Sequence, residues 1–109
     1  MKPVVFTRLA QQEVDIAAAW YEHQHEGLGQ QFYDRVQEAA EKIQRAPEGY
    51  QERYKGVRRA GLRQFTEWGL WYKILPDNSV VIGCLNARMN PVLAKERAAG
   101  ITPIRPPEP

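Results

Sequence analysis

Apolar residues near the start of the chain change from an extended to a helical spacing. Residues 4–6 (Val-Val-Phe) form a short apolar run that ends at Thr7, a residue type that caps helices well. Apolar side chains then recur at three- and four-residue steps over residues 9–21, with polar side chains between them. This change of period predicts a β-strand that is followed at once by a helix ending near Glu26.

Two glycines separate this helix from a second one. Gly27 and Gly29 flank Leu28, and glycine allows the left-handed backbone that ends a helix and reverses the chain. A new helical stripe begins at Leu28 and continues to Ile43, and Pro47 ends it. Two helices of similar length joined by so short a turn are expected to pack as an antiparallel hairpin.

The segment after Pro47 has the composition of β-strands. Residues 57–62, 68–75 and 80–85 are rich in apolar and aromatic side chains, and residues 76–79 have the turn-forming composition of a hairpin loop. Pro91 can begin a short C-terminal helix. The element order β-α-α-β-β-β predicts an α+β domain, with the helical hairpin on one face of an antiparallel sheet.

The strand aromatics and the domain limits follow from the same pattern. Trp68, Trp71 and Tyr72 are expected to pack under the helices, although exposed aromatics can also stack on nucleic-acid bases. We expect one domain over residues 1–100. Residues 101–109 contain four of the eight prolines, which predicts an extended and flexible tail.

Several protein classes are excluded by composition. One cysteine rules out a disulfide framework within the chain. The longest stretch without a charged residue has ten residues, far fewer than the roughly 18 that cross a bilayer, so no membrane partner is expected. No long apolar segment follows Met1, and a cytoplasmic location is therefore the expectation.

The net charge of +2 hides an uneven distribution. Residues 1–52 carry five basic and nine acidic side chains, a net charge of −4, and residues 53–109 carry ten basic and four acidic ones, a net charge of +6. A cationic half attracts phosphate or an acidic partner and acts mainly on the rate of association. This asymmetry directs attention to the strand half of the chain.

Metal and cofactor chemistry receive little support from the sequence. His23 and His25 are two residues apart, which places them on different faces of a helix, and no further His or Cys completes a ligand set. Cys84 lies in an apolar strand and is expected to be a buried structural thiol. No glycine-rich phosphate loop or serine nucleophile motif is present, so no cofactor and no metal are expected.

Arginines are the remaining candidate functional residues. Arg59 and Arg63 lie on and just after the first strand of the predicted meander, and Arg88 follows the last one. Strand alternation puts Arg58 and Arg59 on opposite faces of the sheet. Arginine binds phosphate through two parallel hydrogen bonds, so such a group suits a nucleic-acid backbone or charge stabilisation; a solvated sheet edge guarded by charge explains it equally well.

Together these segments resemble the RelE/ParE superfamily, the toxins of bacterial type II toxin–antitoxin systems, over about residues 3–98. The resemblance rests on residues 4–7 (VVFT), 20–22 (WYE), 27–32 (GLGQQF), 43–47 (IQRAP), 56–60 (GVRRA) and 86–91 (NARMNP). It implies a helical hairpin over a curved antiparallel sheet and an antitoxin that wraps the toxin. RelE-like members cleave mRNA in the ribosomal A site, whereas ParE-like members poison DNA gyrase.

Departures from the family pattern favour the ParE-like branch. Asn86 stands where many relatives have a histidine, and no aromatic residue follows Tyr72, so the proton-transfer groups of the ribonuclease members are missing. Phe-Thr-Glu-Trp at residues 65–68 replaces the Phe-Pro-Tyr of many relatives, which predicts a bulge or a shifted start of the strand. Glu67 is the obvious substitute base in this chain.

The resemblance therefore implies a ParE-like toxin that inhibits growth through DNA gyrase and is neutralised by a cognate antitoxin. Arg59, Arg63 and Arg88 are expected to form its functional cationic surface, with Asn86 orienting a partner group. In the alternative, a RelE-like endoribonuclease that acts on ribosome-bound mRNA, the arginines hold phosphate and Glu67 is the base. A third possibility is a degenerate member that only binds an antitoxin or RNA. Sequence-specific DNA binding is not expected.

Overall fold

A computed structural model describes residues 2–86 of the chain. The expected C-terminal helix, the domain limit at residue 100 and the tail over residues 101–109 lie outside the described residues. The elements are β1 (Val4–Phe6), α1 (Arg8–Gln24), α2 (Leu28–Arg45), a short 3₁₀ helix (Pro47–Gly49), β2 (Glu52–Tyr54), β3 (Val57–Gly61), β4 (Trp68–Ile74) and β5 (Ser79–Asn86).

The five strands form one sheet in the order β1-β5-β4-β3-β2. The α+β fold with a helical hairpin is confirmed, but the sheet is mixed, because β1 pairs parallel to β5 while the other pairs are antiparallel. The connection from β1 to β5 runs through the helical hairpin and strands β2–β4, which gives the long crossover that a parallel pair requires. The sheet also contains β2, which the predicted order lacked. Its sequence, Glu-Arg-Tyr, has no apolar run, and it forms a strand by pairing with β3.

The main core lies between the helical hairpin and one face of the sheet. Phe32 and Ile43 of α2 are fully buried there against Leu70 and Tyr72 of β4. The prediction for the aromatics is confirmed for Trp68 and Tyr72 but is wrong for Trp71. Strand alternation turns Trp71 to the opposite face, where it packs with the smaller cluster of Val57, Val80 and Ile82.

Local hydrogen bonds define the two ends of α1. The Thr7 hydroxyl accepts a hydrogen bond from the Ala10 amide at 3.1 Å and caps the helix. At the other end, the Glu22 carboxylate accepts hydrogen bonds from the Gly27 and Gly29 amides at 3.0–3.1 Å. These hydrogen bonds lower the pKa of Glu22. Gly27 takes a positive φ of 87°, the left-handed backbone that the sequence predicted for the turn.

A tight loop joins β3 to β4, where the substituted residues 65–68 predicted a bulge. The Leu62 amide donates to the Trp68 carbonyl at 3.0 Å, and the Trp68 amide donates to the Phe65 carbonyl at 2.9 Å. Gln64 adopts a positive φ of 75° within this loop. The register irregularity lies further on, where Trp71 pairs with Gly83 and Tyr72 pairs with Val81, a shift of one residue along β5.

Candidate functional site

Arg58 and Arg59 lie on opposite faces of β3, as the alternation predicted. Arg58 turns toward the helices, where its guanidinium donates hydrogen bonds to the backbone carbonyls of Glu48 and Tyr50. Those contacts give Arg58 a structural role at the end of the hairpin. Arg59 faces away from the helices, directly across from Trp71 of β4. Of these two arginines, Arg59 therefore lies on the outer face of the sheet.

The Arg59 side chain lies across Gly69, which has no side chain to obstruct it. A Cβ atom added at Gly69 would stand 2.7 Å from Nε and 2.8 Å from Cζ of Arg59. No carboxylate among residues 2–86 pairs with this guanidinium; its one hydrogen bond is a long one, 3.4 Å from Nη2 to the Glu67 carbonyl. Burial lowers the pKa of Arg59, and the charge of Arg53 lowers it further. This unopposed cation suits an incoming anion.

Arg63 is held in a different place by Glu38 of α2. Its Nε donates to Oε1 at 3.0 Å and its Nη2 donates to Oε2 at 2.9 Å, the paired geometry that arginine favours with carboxylates. Arg35 and Lys42 also approach Glu38, at 2.7 and 3.9 Å. The hydrogen bond from Arg63 has the largest effect on Glu38, and together these cations lower its pKa to about 2. Arg63 thus has an ion-pair partner on the hairpin, whereas Arg59 has none in the described chain.

Glu67 and Asn86 line one cleft between α1 and the sheet. The cleft has a volume of about 390 Å³. Its other lining residues are Ile16, Ala17, Trp20, Tyr21 and Trp68. Asn86 pairs with Trp68 at the end of β5, and the Trp68 indole donates to the Tyr21 hydroxyl at 2.9 Å. The Glu67 carbonyl also accepts the long hydrogen bond from Arg59, although the Arg59 side chain lies on the other face of the sheet from this cleft. Arg59, Gly69 and the backbone of Glu67 form the Arg59 neighbourhood.

The five expected site residues therefore divide into groups. Glu67 and Asn86 share the cleft, and Arg59 contacts the Glu67 backbone from the other face of the sheet. Arg63 lies at the helical hairpin, and Arg88 is outside the described residues. Sequence reasoning missed the α1 side of the cleft, formed by Ile16 and Trp20. The sequence spacing indicates this apolar surface of α1, because residues 9, 16 and 20 fall on one helical face.

The Tyr72 hydroxyl, the Cys84 thiol and the two histidines are poorly placed for proton transfer beside Arg59. The Tyr72 hydroxyl is buried and donates to the Pro47 carbonyl, and burial raises its pKa to about 12. Cys84 is buried as expected, and desolvation raises its pKa to about 12 as well. His23 lies in the last turn of α1 and His25 is its C-terminal cap, in the helical half of the chain. Glu67, whose backbone contacts Arg59, remains the candidate base among the described residues.

Metal-ligand clusters and membrane-spanning helices are absent from residues 2–86. No three His, Cys, Asp or Glu side chains converge there as a metal site would require. No helix in this part of the chain is long and apolar enough to span a membrane.

Comparison with known proteins supports the relationship that the sequence suggested. The family described as the ParE toxin of the type II toxin–antitoxin system, parDE, matches residues 4–91. No curated protein matches significantly. A solved structure described as a chromosomal ParDE TA system from P. aeruginosa superposes with a TM-score of 0.58 at 15% identity, covering 79% of this chain and 96% of that chain. At that identity the likeness supports the fold. Because the family match spans most of the sequence, this chain belongs to the ParE toxin family of type II toxin–antitoxin systems.

Proposed function

We propose that this ParE-family toxin inhibits growth in the cytoplasm by binding DNA gyrase, and that a cognate antitoxin neutralises it. The observation that carries the proposal is the Arg59 neighbourhood. An arginine without a carboxylate partner among residues 2–86 lies over Gly69, and its guanidinium contacts the backbone carbonyl of Glu67. Such a site presents charge and hydrogen-bond donors to a partner surface and needs no reaction of its own.

RNA cleavage also requires proton-transfer groups, and the residues around Arg59 supply few of them. A ribonuclease needs one group that accepts a proton from the 2′-hydroxyl and another that protonates the leaving oxygen. Asn86 does neither near neutral pH. The Tyr72 hydroxyl is buried, and its pKa of about 12 keeps its proton in place. Among residues 2–86, the cleft is lined by one carboxylate, Glu67, and by Tyr21, whose hydroxyl already accepts a hydrogen bond from the Trp68 indole.

The alternative functions remain testable candidates. A RelE-like endoribonuclease is favoured by one contact, that of the Arg59 guanidinium with the backbone of Glu67, since it joins a phosphate-binding cation to the residue that carries the candidate base. A degenerate member would use the same surface to bind an antitoxin or RNA and would not be toxic.

Induction of the chain alone and together with the protein encoded by the adjacent gene tests the proposal. We expect growth arrest from the chain alone and rescue by its neighbour. In extracts we expect loss of gyrase supercoiling with translation intact. Translation arrest with cuts phased to codons would refute the gyrase target, and normal growth with neither defect would refute toxicity.

Point variants locate the activity. Arg59→Ala should weaken gyrase inhibition about 10- to 100-fold, the usual effect of losing a charge-assisted hydrogen bond to a partner. Arg45→Ala is the matched control, because Arg45 is an exposed arginine in the last turn of α2. Glu67→Gln separates the two activities. It should change gyrase inhibition by less than about 10-fold, whereas a catalytic base would lose about 100-fold or more.

A further inference from the structure

A second cavity lies between α2 and the end of β3, and it shares no lining residue with the cleft beside α1. Its volume is about 380 Å³, which is within the range of small-molecule sites. Four of its described lining residues are charged, namely Arg35, Glu38, Lys42 and Arg63. The cavity is thus large enough for a small ligand, and its chemistry is ionic.

The charges around this cavity do not balance. Three cations surround one carboxylate, which leaves a net charge of +2 on the described lining residues. An ion pair that ties α2 to the loop between β3 and β4 needs one cation, and Arg63 with Glu38 already supplies it. Arg35 and Lys42 add positive charge beyond that need. Clefts lined by one sign of charge concentrate ions of the opposite sign, so the cavity favours an anion.

Two of the cations also retain hydrogen-bond donors. Arg35 donates from Nη1 to Glu38 at 2.7 Å, but its Nε is buried and has no hydrogen-bond partner among residues 2–86. Buried donors nearly always have a partner, so an unpaired one indicates a missing acceptor. The Lys42 ammonium is 3.9 Å from the Glu38 carboxylate, which is too far for a hydrogen bond. Both groups can therefore donate to a further acceptor.

Glu38 holds the two guanidinium groups beside the cavity. It accepts two hydrogen bonds from Arg63, at 2.9 and 3.0 Å, and one from Arg35. Its pKa of about 2 keeps it ionised at neutral pH, so this arrangement persists under ordinary conditions. A guanidinium carries five N–H donors, and Arg63 uses only its Nε and Nη2 on this carboxylate. Its remaining donors are free of Glu38.

We propose that Arg35, Lys42 and Arg63 bind a phosphate group, either inorganic phosphate or the phosphate of a mononucleotide, with Glu38 positioning the two guanidinium groups. A phosphate dianion would neutralise the net charge of +2 and has enough oxygen atoms to accept from all three cations. A carboxylate ligand would neutralise only half of that charge. The site goes beyond the proposed function, because it requires neither gyrase nor an antitoxin.

Calorimetry with inorganic phosphate and with AMP, each replacing chloride at constant ionic strength, tests the site. We expect saturable binding of one equivalent, with a Kd of about 1 mM or lower. Lys42→Met should weaken it about 10-fold, the usual effect of losing a charge-assisted hydrogen bond. Arg35→Lys keeps the charge but removes the Nε donor, and it should weaken binding about 5-fold.

Lys55→Met is the matched control. It makes the same change at an exposed lysine in the turn between β2 and β3, at the opposite end of β3 from Gly61. The affinity for phosphate should stay within about 2-fold of the wild type. Melting curves recorded without phosphate should coincide for Lys42→Met and Lys55→Met, because both side chains are exposed. Saturating phosphate should then raise the Tm of the control and of the wild type alike.

The outcomes identify the ligand or overturn the site. AMP that binds about 10-fold more tightly than inorganic phosphate supports the site and indicates a nucleotide ligand, and AMP that binds no more tightly supports it with free phosphate as the ligand. No saturable binding of either at about 20 mM would overturn the site. Binding that Lys42→Met and Arg35→Lys leave unchanged would also overturn it. So would binding that Arg59→Ala abolishes and Lys42→Met does not, because the anion would then lie on the outer sheet face.

Discussion

Gly29 lies where an added side chain would collide with the backbone of the other helix of the hairpin. Helices α1 and α2 approach each other here through backbone atoms: a Cβ atom added at Gly29 would stand 2.6 Å from the Ala18 carbonyl oxygen. It would also stand 3.0 Å from the Glu22 side chain, whose carboxylate holds the turn between the helices. Gly29→Ala is therefore expected to force the two helices apart.

The magnitude follows from the geometry. Ordinary contact begins near 3.4 Å, so the helix backbones must separate by about 0.8 Å. Overpacking of this kind costs about 1–3 kcal/mol. The better helix propensity of alanine returns up to about 1 kcal/mol, and less in a first helical turn. Displacement of the Glu22 carboxylate adds to the loss. We expect a net destabilisation of about 2 kcal/mol, equivalent to a fall in Tm of about 10 °C in a domain of this size.

Urea unfolding followed by circular dichroism measures this effect. Gly49→Ala is the matched control, because an added Cβ there meets its nearest neighbour, Ala46, at 3.5 Å and the backbone has no positive φ. It should stay within about 0.5 kcal/mol of the wild type. A Gly29→Ala variant as stable as Gly49→Ala would refute the reasoning that close backbone approach determines the hairpin.

Three further variants or treatments probe individual groups. Cys84, whose pKa burial raises to about 12, should react with iodoacetamide at pH 8 only after unfolding, as mass spectrometry will show. Trp71→Phe removes a buried indole N–H that has no hydrogen-bond partner among residues 2–86, so urea unfolding should give a stability within about 1 kcal/mol of the wild type; a loss above about 2 kcal/mol would contradict this. Glu38 has a depressed pKa of about 2, so it stabilises the fold above pH 4.5 and loses that contribution as the pH falls toward 2. Melting curves from pH 7 to 2 should show a shallower acid loss for Glu38→Gln.

Periodicity made the helical hairpin predictable, because the local sequence determines both of its helices and its turn. The apolar steps of α2 end at Pro47, and the helix ends at Arg45, two residues before it. Gly27 takes the positive φ that the turn requires. The end of α1 was predicted two residues late, since the difference between Gln24 and Glu26 depends on a capping hydrogen bond from the His25 amide and not on hydrophobic spacing.

Features that depend on distant partners were not predictable in this way. The apolar pattern of β1 is compatible with either orientation beside β5, and the parallel orientation depends on the whole connection through the hairpin and strands β2–β4. The same limit applies to the arginines. Their number and charge were evident, but Arg63 meets Glu38, 25 residues earlier, through a contact between separate elements that no local spacing encodes. Arg59 and Arg63 therefore appeared equivalent in sequence although one is unopposed and the other is paired.

Glu67 connects the Arg59 face of the sheet to the cleft beside α1. Its backbone carbonyl accepts the hydrogen bond from Arg59, and its side chain lines the cleft. Under the proposed function the two groups of residue 67 are therefore separable, because Arg59 uses only the backbone. Glu67→Gln keeps that carbonyl, so it should weaken gyrase inhibition less than Arg59→Ala does. Equal losses from the two variants would contradict this assignment.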